Sequence, residues 1–130
     1  MTDSKRPLSP HLQIYKPQLT SILSISHRIT GLILSGFSII IPITLYFIIS
    51  GENIFNDFKL ILSHYFFKLF FIFIIFVLSY HFTNGIRHLL WDLGLGLEIK
   101  ESYLSGYVVI ISSLLFTVIS IFLFQLQVGF

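Results

Sequence analysis

The chain has 130 residues, of which 55% are hydrophobic and only 11% charged, and its formal net charge is +2. A soluble domain of this size needs a charged surface that these residues cannot supply, so the composition indicates a membrane protein. The charge is too small to indicate a nucleic-acid partner. The lack of cysteine excludes thiolate metal sites, iron–sulfur ligation and disulfides, which leaves histidine and carboxylate as metal ligands.

Residues 1–20 form a polar arm interrupted by Pro7, Pro10 and Pro17. It has no apolar run of the secretory type, so insertion without cleavage is expected. Prolines prevent a long helix, while Leu8, Leu12, Ile14 and Tyr15 suit an extended arm lying on a protein or membrane surface. Residues 21–130 read as a three-helix transmembrane anchor. Apolar stretches run over Ile29–Ile49, Tyr65–Tyr80 and Tyr107–Leu126. With their flanks they predict spans at about 22–49, 60–90 and 104–127, each at least the ~20 residues needed to cross a ~30 Å hydrocarbon core. Backbone groups in lipid must be satisfied within the segment, so each span is a helix. The expected fold class is an all-α membrane protein: three transmembrane helices and an extended N-terminal arm, within a heteromeric helix bundle. Residues 50–58 read as a turn-rich loop. Leu93–Ser105, with Gly94 and Gly96, reads as a second one.

Lys5, Arg6, Lys16, Arg28, Arg87 and Lys100 fall on the side of the N-terminus and the second loop, six of the eight basic residues. That side is therefore expected to be the cytoplasm or the mitochondrial matrix. Trp91 and Tyr103 suit the aromatic belt there, and Lys68 must snorkel outward from the second span. Small and hydroxyl residues form stripes at Ser24, Arg28, Gly31, Ser35, Ser38 and Pro42, and at Gly106, Ser113, Thr117 and Ser120. Such stripes let membrane helices approach closely, and three helices are few for a self-sufficient bundle, so part of this surface is expected to serve other subunits.

The second span ends in Tyr80-His81-Phe82-Thr83-Asn84-Gly85-Ile86-Arg87-His88-Leu89-Leu90-Trp91-Asp92. Polar groups at membrane depth are costly and usually functional. His81, Gly85 and His88 fall at i, i+4 and i+7 and share one helix face. Neutral imidazole is a good haem ligand. His81 is the deeper residue, and Arg87 and His88 lie roughly 10 Å closer to the inner side, which suits an axial ligand with propionate partners. The alternative is that His81 only hydrogen-bonds between helices. His64 is ~25 Å away along the helix, so a bis-histidine haem needs a ligand from a partner chain. At the inner mouth of the first span, Ser24 and Arg28 stand at i and i+4 beside Ile25 and His27. A hydroxyl, a fixed cation and an apolar neighbour suit the carbonyls and ring of a quinone. The alternative is that Arg28 anchors the helix to lipid phosphate.

Three segments together, Arg6-Pro7-Leu8-Ser9-Pro10-His11-Leu12 with Tyr15-Lys16-Pro17, Ser24-Ile25-Ser26-His27-Arg28-Ile29-Thr30-Gly31, and His81-x-x-x-Gly85-Ile86-Arg87-His88-Leu89-x-Trp91-Asp92, are similar to one family. The chain resembles the succinate dehydrogenase cytochrome b556 subunits, the larger membrane anchors of respiratory complex II, in their mitochondrial and alphaproteobacterial branch. The resemblance covers nearly the whole chain, and the two motifs together are highly specific. It implies an electron-transfer subunit of succinate:ubiquinone oxidoreductase that does not bind succinate, acting in the respiratory chain and the tricarboxylic acid cycle. It implies haem b shared with the small anchor subunit, with His81 as axial ligand and His27, Arg28, Arg87 and His88 near the propionates. It implies a ubiquinone site built from Ser24, Ile25 and Arg28. The implied partners are the small anchor, the iron–sulfur subunit, the flavoprotein subunit and lipid, and the implied location is a mitochondrial or bacterial inner membrane. A non-catalytic scaffold and a fumarate reductase anchor are the alternative functions.

Overall fold

The computed structural model describes residues 18–128, with side chains as far as residue 125. The N-terminal arm is therefore almost wholly outside the described residues. Those residues form five helices: α1 (Leu19–Phe37), α2 (Ile40–Ile49), α3 (Glu52–Leu62), α4 (Tyr65–Asp92) and α5 (Ile99–Val128). Three stretches are long and apolar enough to cross a membrane. These are Leu19–Ile49, with mean hydropathy 2.4, Tyr65–Asp92 at 1.9 and Ile99–Gln125 at 2.6.

The first of these is two helices. Pro42 has no N–H to offer the Ser38 carbonyl, and its ring crowds that carbonyl. The ladder breaks there: Ile41 N–H reaches Ser38 O in a tighter i→i+3 bond of 3.2 Å, and Ile43 N–H reaches Ile39 O only at 3.4 Å. The chain turns at Ser38 and Ile39 between α1 and α2.

Residues 50–58, expected as a loop, lie mostly in α3. The turn is confined to Ser50 and Gly51, and the φ of 111° at Gly51 is favourable only for glycine. Ile54, Phe55, Phe58, Ile61 and Leu62 then recur at helical spacing. Glu52 in the first turn and Lys59 in the last complement the helix dipole. Phe58 is buried and stacks on Phe47 with centroids 4.2 Å apart and planes 6° apart, which ties α3 to α2. Polar Asn53, Asn56 and Asp57 had hidden an amphipathic pattern. His64 then caps α4, its Nδ1 accepting the Phe66 N–H at 3.3 Å.

The second connection is also shorter than expected, because α5 begins at Ile99. α4 ends in a Schellman motif. Leu95 N–H returns to Leu90 O at 3.0 Å and Gly94 N–H to Trp91 O at 2.9 Å, with Gly94 at φ 78°.

Helix α4 is central, packing on both α1 and α5. The α1–α5 approach depends on Gly106, where an added Cβ would stand 2.8 Å from Leu23 Cδ1. Little is buried among the described residues. Leu23, Tyr80 and Val109 form the one apolar cluster, with Ser113 and Thr117 buried on α5. The α5 stripe of small residues is thus largely covered. Arg28, Ser35, Ser38 and Pro42 on the α1–α2 stripe are exposed.

Candidate functional site

The N-terminal parts of α1 and α5 meet the C-terminal half of α4, and two polar faces of α4 meet them. The first face carries His81, Gly85 and His88. The His27 ring of α1 stacks on His81 with centroids 4.0 Å apart and planes 10° apart, and it lies 5.1 Å from His88. Two glycines allow this. A Cβ at Gly31 would stand 3.1 Å from His81 Cε1, and one at Gly85 would stand 3.6 Å from His27 Cε1.

The His81 Nδ1 lies 3.2 Å from the His27 carbonyl, which can only accept, so this contact is a hydrogen bond in the tautomer with the proton on Nδ1. The Thr30 hydroxyl donates to the same carbonyl at 2.8 Å and lies 3.1 Å from His81 Nδ1. In that tautomer the lone pair is on Nε2, which has no hydrogen-bond partner among the described residues. Metal-bound histidines are oriented in this way, with the second ring N–H held by a backbone oxygen. His27 Nδ1 is buried without a partner among the described residues, an arrangement costing about 1–3 kcal/mol unless another group completes it. No cluster of three or more histidines or carboxylates suited to a metal ion occurs among the described residues.

The second face carries Tyr80, Asn84, Arg87 and Trp91, at i, i+4, i+7 and i+11. Tyr80 Oη and Asn84 Nδ2 both donate to the Leu23 carbonyl of α1, at 2.9 and 3.1 Å. Arg87, 3% exposed, is held at the α4–α5 seam by neutral groups. Its Nε donates to Ser105 Oγ at 3.0 Å, Nη2 to Ser102 O at 2.9 Å, and Nη1 to Asn84 Oδ1 at 3.4 Å. Its guanidinium lies 4.0 Å over the Trp91 ring.

Ser24, Ile25 and Arg28 line a cavity of about 580 Å³, within the range of small-molecule sites. Gln18, Thr20 and Ser21 extend the α1 wall. Trp91, Leu97, Ile99, Ser102 and Tyr103 form the wall opposite. The structure therefore brings His27, His81 and His88 together, gathers Ser24, Ile25 and Arg28 in a neighbouring pocket, and directs Arg87 to α5. Sequence reasoning missed Tyr80, Asn84 and Ser102, and gave Trp91 and Tyr103 no role beyond the aromatic belt. The i, i+4, i+7, i+11 spacing was the available signal for the face that carries Tyr80, Asn84 and Trp91.

Helices of this length, with a polar cluster at one end of three apolar spans, define an integral membrane protein with a candidate site within its bundle. Residues 2–120 match the family described as succinate dehydrogenase/fumarate reductase transmembrane subunit. The chain belongs to that family. Among its relatives, the succinate dehydrogenase cytochrome b556 subunit of Rickettsia bellii is 47% identical over 116 residues, covering 89% of this chain and 90% of the relative. The succinate dehydrogenase cytochrome b560 subunit of Reclinomonas americana is 42% identical over 130 aligned residues, covering 92% and 86%. The cytochrome b560 subunit of Marchantia polymorpha is 42% identical over 114 residues, covering 81% and 80%.

Proposed function

We propose that this chain is the larger membrane anchor of a succinate:ubiquinone oxidoreductase, that it holds haem b through His81, and that it forms part of the ubiquinone-reduction pocket. The observation that carries the haem assignment is the placement of the His81 ring, whose Nδ1 lies on the His27 carbonyl and which in the Nδ1–H tautomer leaves the Nε2 lone pair available. The residues present fit the group. Gly31 and Gly85 keep the space around the rings narrow, and the orphaned His27 Nδ1 and the neighbouring His88 are polar groups at its inner edge. Arg28 adjoins His27 in sequence and supplies positive charge between this cluster and the pocket. A second haem ligand would come from the small anchor subunit. When bound, the haem provides a one-electron redox centre within the membrane.

In the pocket, the Ser24 hydroxyl donates a hydrogen bond to a quinone carbonyl, and Ile25 packs against the ring. Arg28 stabilises the negative charge that develops as electrons arrive, an interaction stronger in the reduced state than in the initial one. Electrons reach the pocket from the flavoprotein through the iron–sulfur subunit, which docks on the face at the start of α1. That face is the matrix or cytoplasmic side of a mitochondrial or bacterial inner membrane. The names of the relatives from Rickettsia bellii, Reclinomonas americana and Marchantia polymorpha favour succinate oxidation over fumarate reduction.

The test is the reduced-minus-oxidised spectrum of the purified complex carrying His81→Ala. The expected outcome is loss or displacement of the b-type bands. An unchanged spectrum in assembled complex removes His81 as ligand, and a wild-type complex without such bands leaves a scaffold.

A further inference from the structure

Trp91 stands at the junction of the two sites. One part of its half-buried ring lines the pocket with Ser24 and Arg28. Its edge meets His88, with centroids 5.3 Å apart and planes 88° apart. The ring cannot turn freely. Its Nε1–H donates to the Gly96 carbonyl at 3.0 Å, and the Arg87 guanidinium lies 4.0 Å over its face.

Arg87 is 3% exposed and has no carboxylate partner among the described residues, which is unusual for a fixed cation. Its contacts account for its position. Through Asn84, which also bonds the Leu23 carbonyl, it is tied to α1 one residue before Ser24. Through Ser102 it is tied to the α5 wall of the pocket. Arg87 thus sets three pocket walls relative to one another: α1, the Trp91 ring and the start of α5. A planar fork with five donors can do this, whereas a lysine with one nitrogen cannot make the same set of bonds.

We propose that Trp91 is the aromatic wall against which the quinone head packs, and that Arg87 is the residue that positions it. This rests on the quinone-binding role proposed for the pocket. A flat conjugated ring packs well on indole, and the contact lies between the pocket and the His88 side of the imidazole cluster. Trp91 is a contact residue, and Arg87 acts through it rather than on the quinone or on a haem propionate.

The test uses the purified, assembled complex with Trp91→Leu, Trp91→Phe, Arg87→Met and Arg87→Lys, and with Arg28→Ala as a control for the pocket. Three readouts are taken: the KM for a short-chain ubiquinone analogue, succinate oxidation with a soluble dye acceptor, and the haem difference spectrum. Trp91→Leu and Arg87→Met are expected to raise the quinone KM at least fivefold, with dye reduction and the spectrum unchanged. Trp91→Phe, which keeps an aromatic face, is expected to stay within twofold of wild type, and Arg87→Lys to fall between. An unchanged KM in Trp91→Leu, with Arg28→Ala impaired, overturns the inference alone. Unchanged quinone reduction in both Arg28→Ala and Trp91→Leu overturns the pocket assignment itself. A spectral shift in the Arg87 variants with unchanged KM places Arg87 at the haem and likewise overturns the inference. Should Arg87→Met fail to assemble, Trp91→Leu and Arg87→Lys still decide it.

Discussion

Replacing Gly31 with alanine tests whether close packing against α1 fixes the His81 ring. The new methyl would stand 3.1 Å from His81 Cε1, whereas ordinary contacts begin near 3.4 Å. The ring must therefore recede by about 0.3 Å or more, against a contact from His81 Nδ1 to the His27 carbonyl already at 3.2 Å and a stacked ring at 4.0 Å. Overpacking of this kind costs about 1–3 kcal/mol. Glycine to alanine within a helix returns about 1 kcal/mol, so the net destabilisation is between about 0 and 2 kcal/mol. The variant should assemble while its haem environment changes. The assay is the reduced-minus-oxidised spectrum and the haem midpoint potential of purified complex, with thermal stability measured in parallel. Gly36→Ala is the control, because nothing lies within 4 Å of a Cβ there. It should leave the spectrum unchanged and raise helix stability by up to about 1 kcal/mol. A wild-type spectrum and potential in Gly31→Ala, or an equal shift in both variants, refutes the packing argument.

Three other substitutions test the pocket and the second face of α4. Arg28→Ala should abolish most quinone reduction while succinate oxidation with a soluble dye survives, and Ser24→Ala should raise the quinone KM. Equal loss of both activities in assembled complex rules out a role for Arg28 in the pocket. Asn84→Ala leaves Tyr80 on the Leu23 carbonyl but strips Arg87 Nη1 of its partner. Thermal denaturation should show a loss of about 1 kcal/mol, the scale of polar contacts between membrane helices. No loss would mean that Asn84 contributes nothing to holding α1 on α4.

The imidazole face was legible because His81, Gly85 and His88 repeat with the helix and stand out against apolar neighbours. The second face was present in the same thirteen residues but offset by about 100° around the helix. Sequence cannot show that α5 lies on that side, so Arg87 read as part of the histidine group. Only packing separates it, through Ser102 and Ser105. Ser24, Ile25 and Arg28 were legible as a cluster, but the opposite wall of their pocket comes from residues more than sixty positions away. Pro42 was visible as a member of a small-residue stripe, while the helix break it causes at Ser38 was not drawn from it. In α3, turn-forming Asn53, Asn56 and Asp57 outweighed an apolar periodicity that tertiary packing on Phe47 makes decisive.

The distance between the two sites along α4 has an electrical meaning. His81 lies about ten residues, ~15 Å of helical rise, from Trp91, which is half of a ~30 Å hydrocarbon core. With Trp91 at the inner boundary, charge moved between the pocket wall and the level of His81 crosses about half of the transmembrane field. At 100 mV that is worth about 1.2 kcal/mol per electron, roughly a sevenfold change in the equilibrium between the two positions. With quinone in the pocket and haem at His81, as proposed, the partition of an electron between the two would be tuned by how strongly the membrane is energised, at a depth set by the length of one helix.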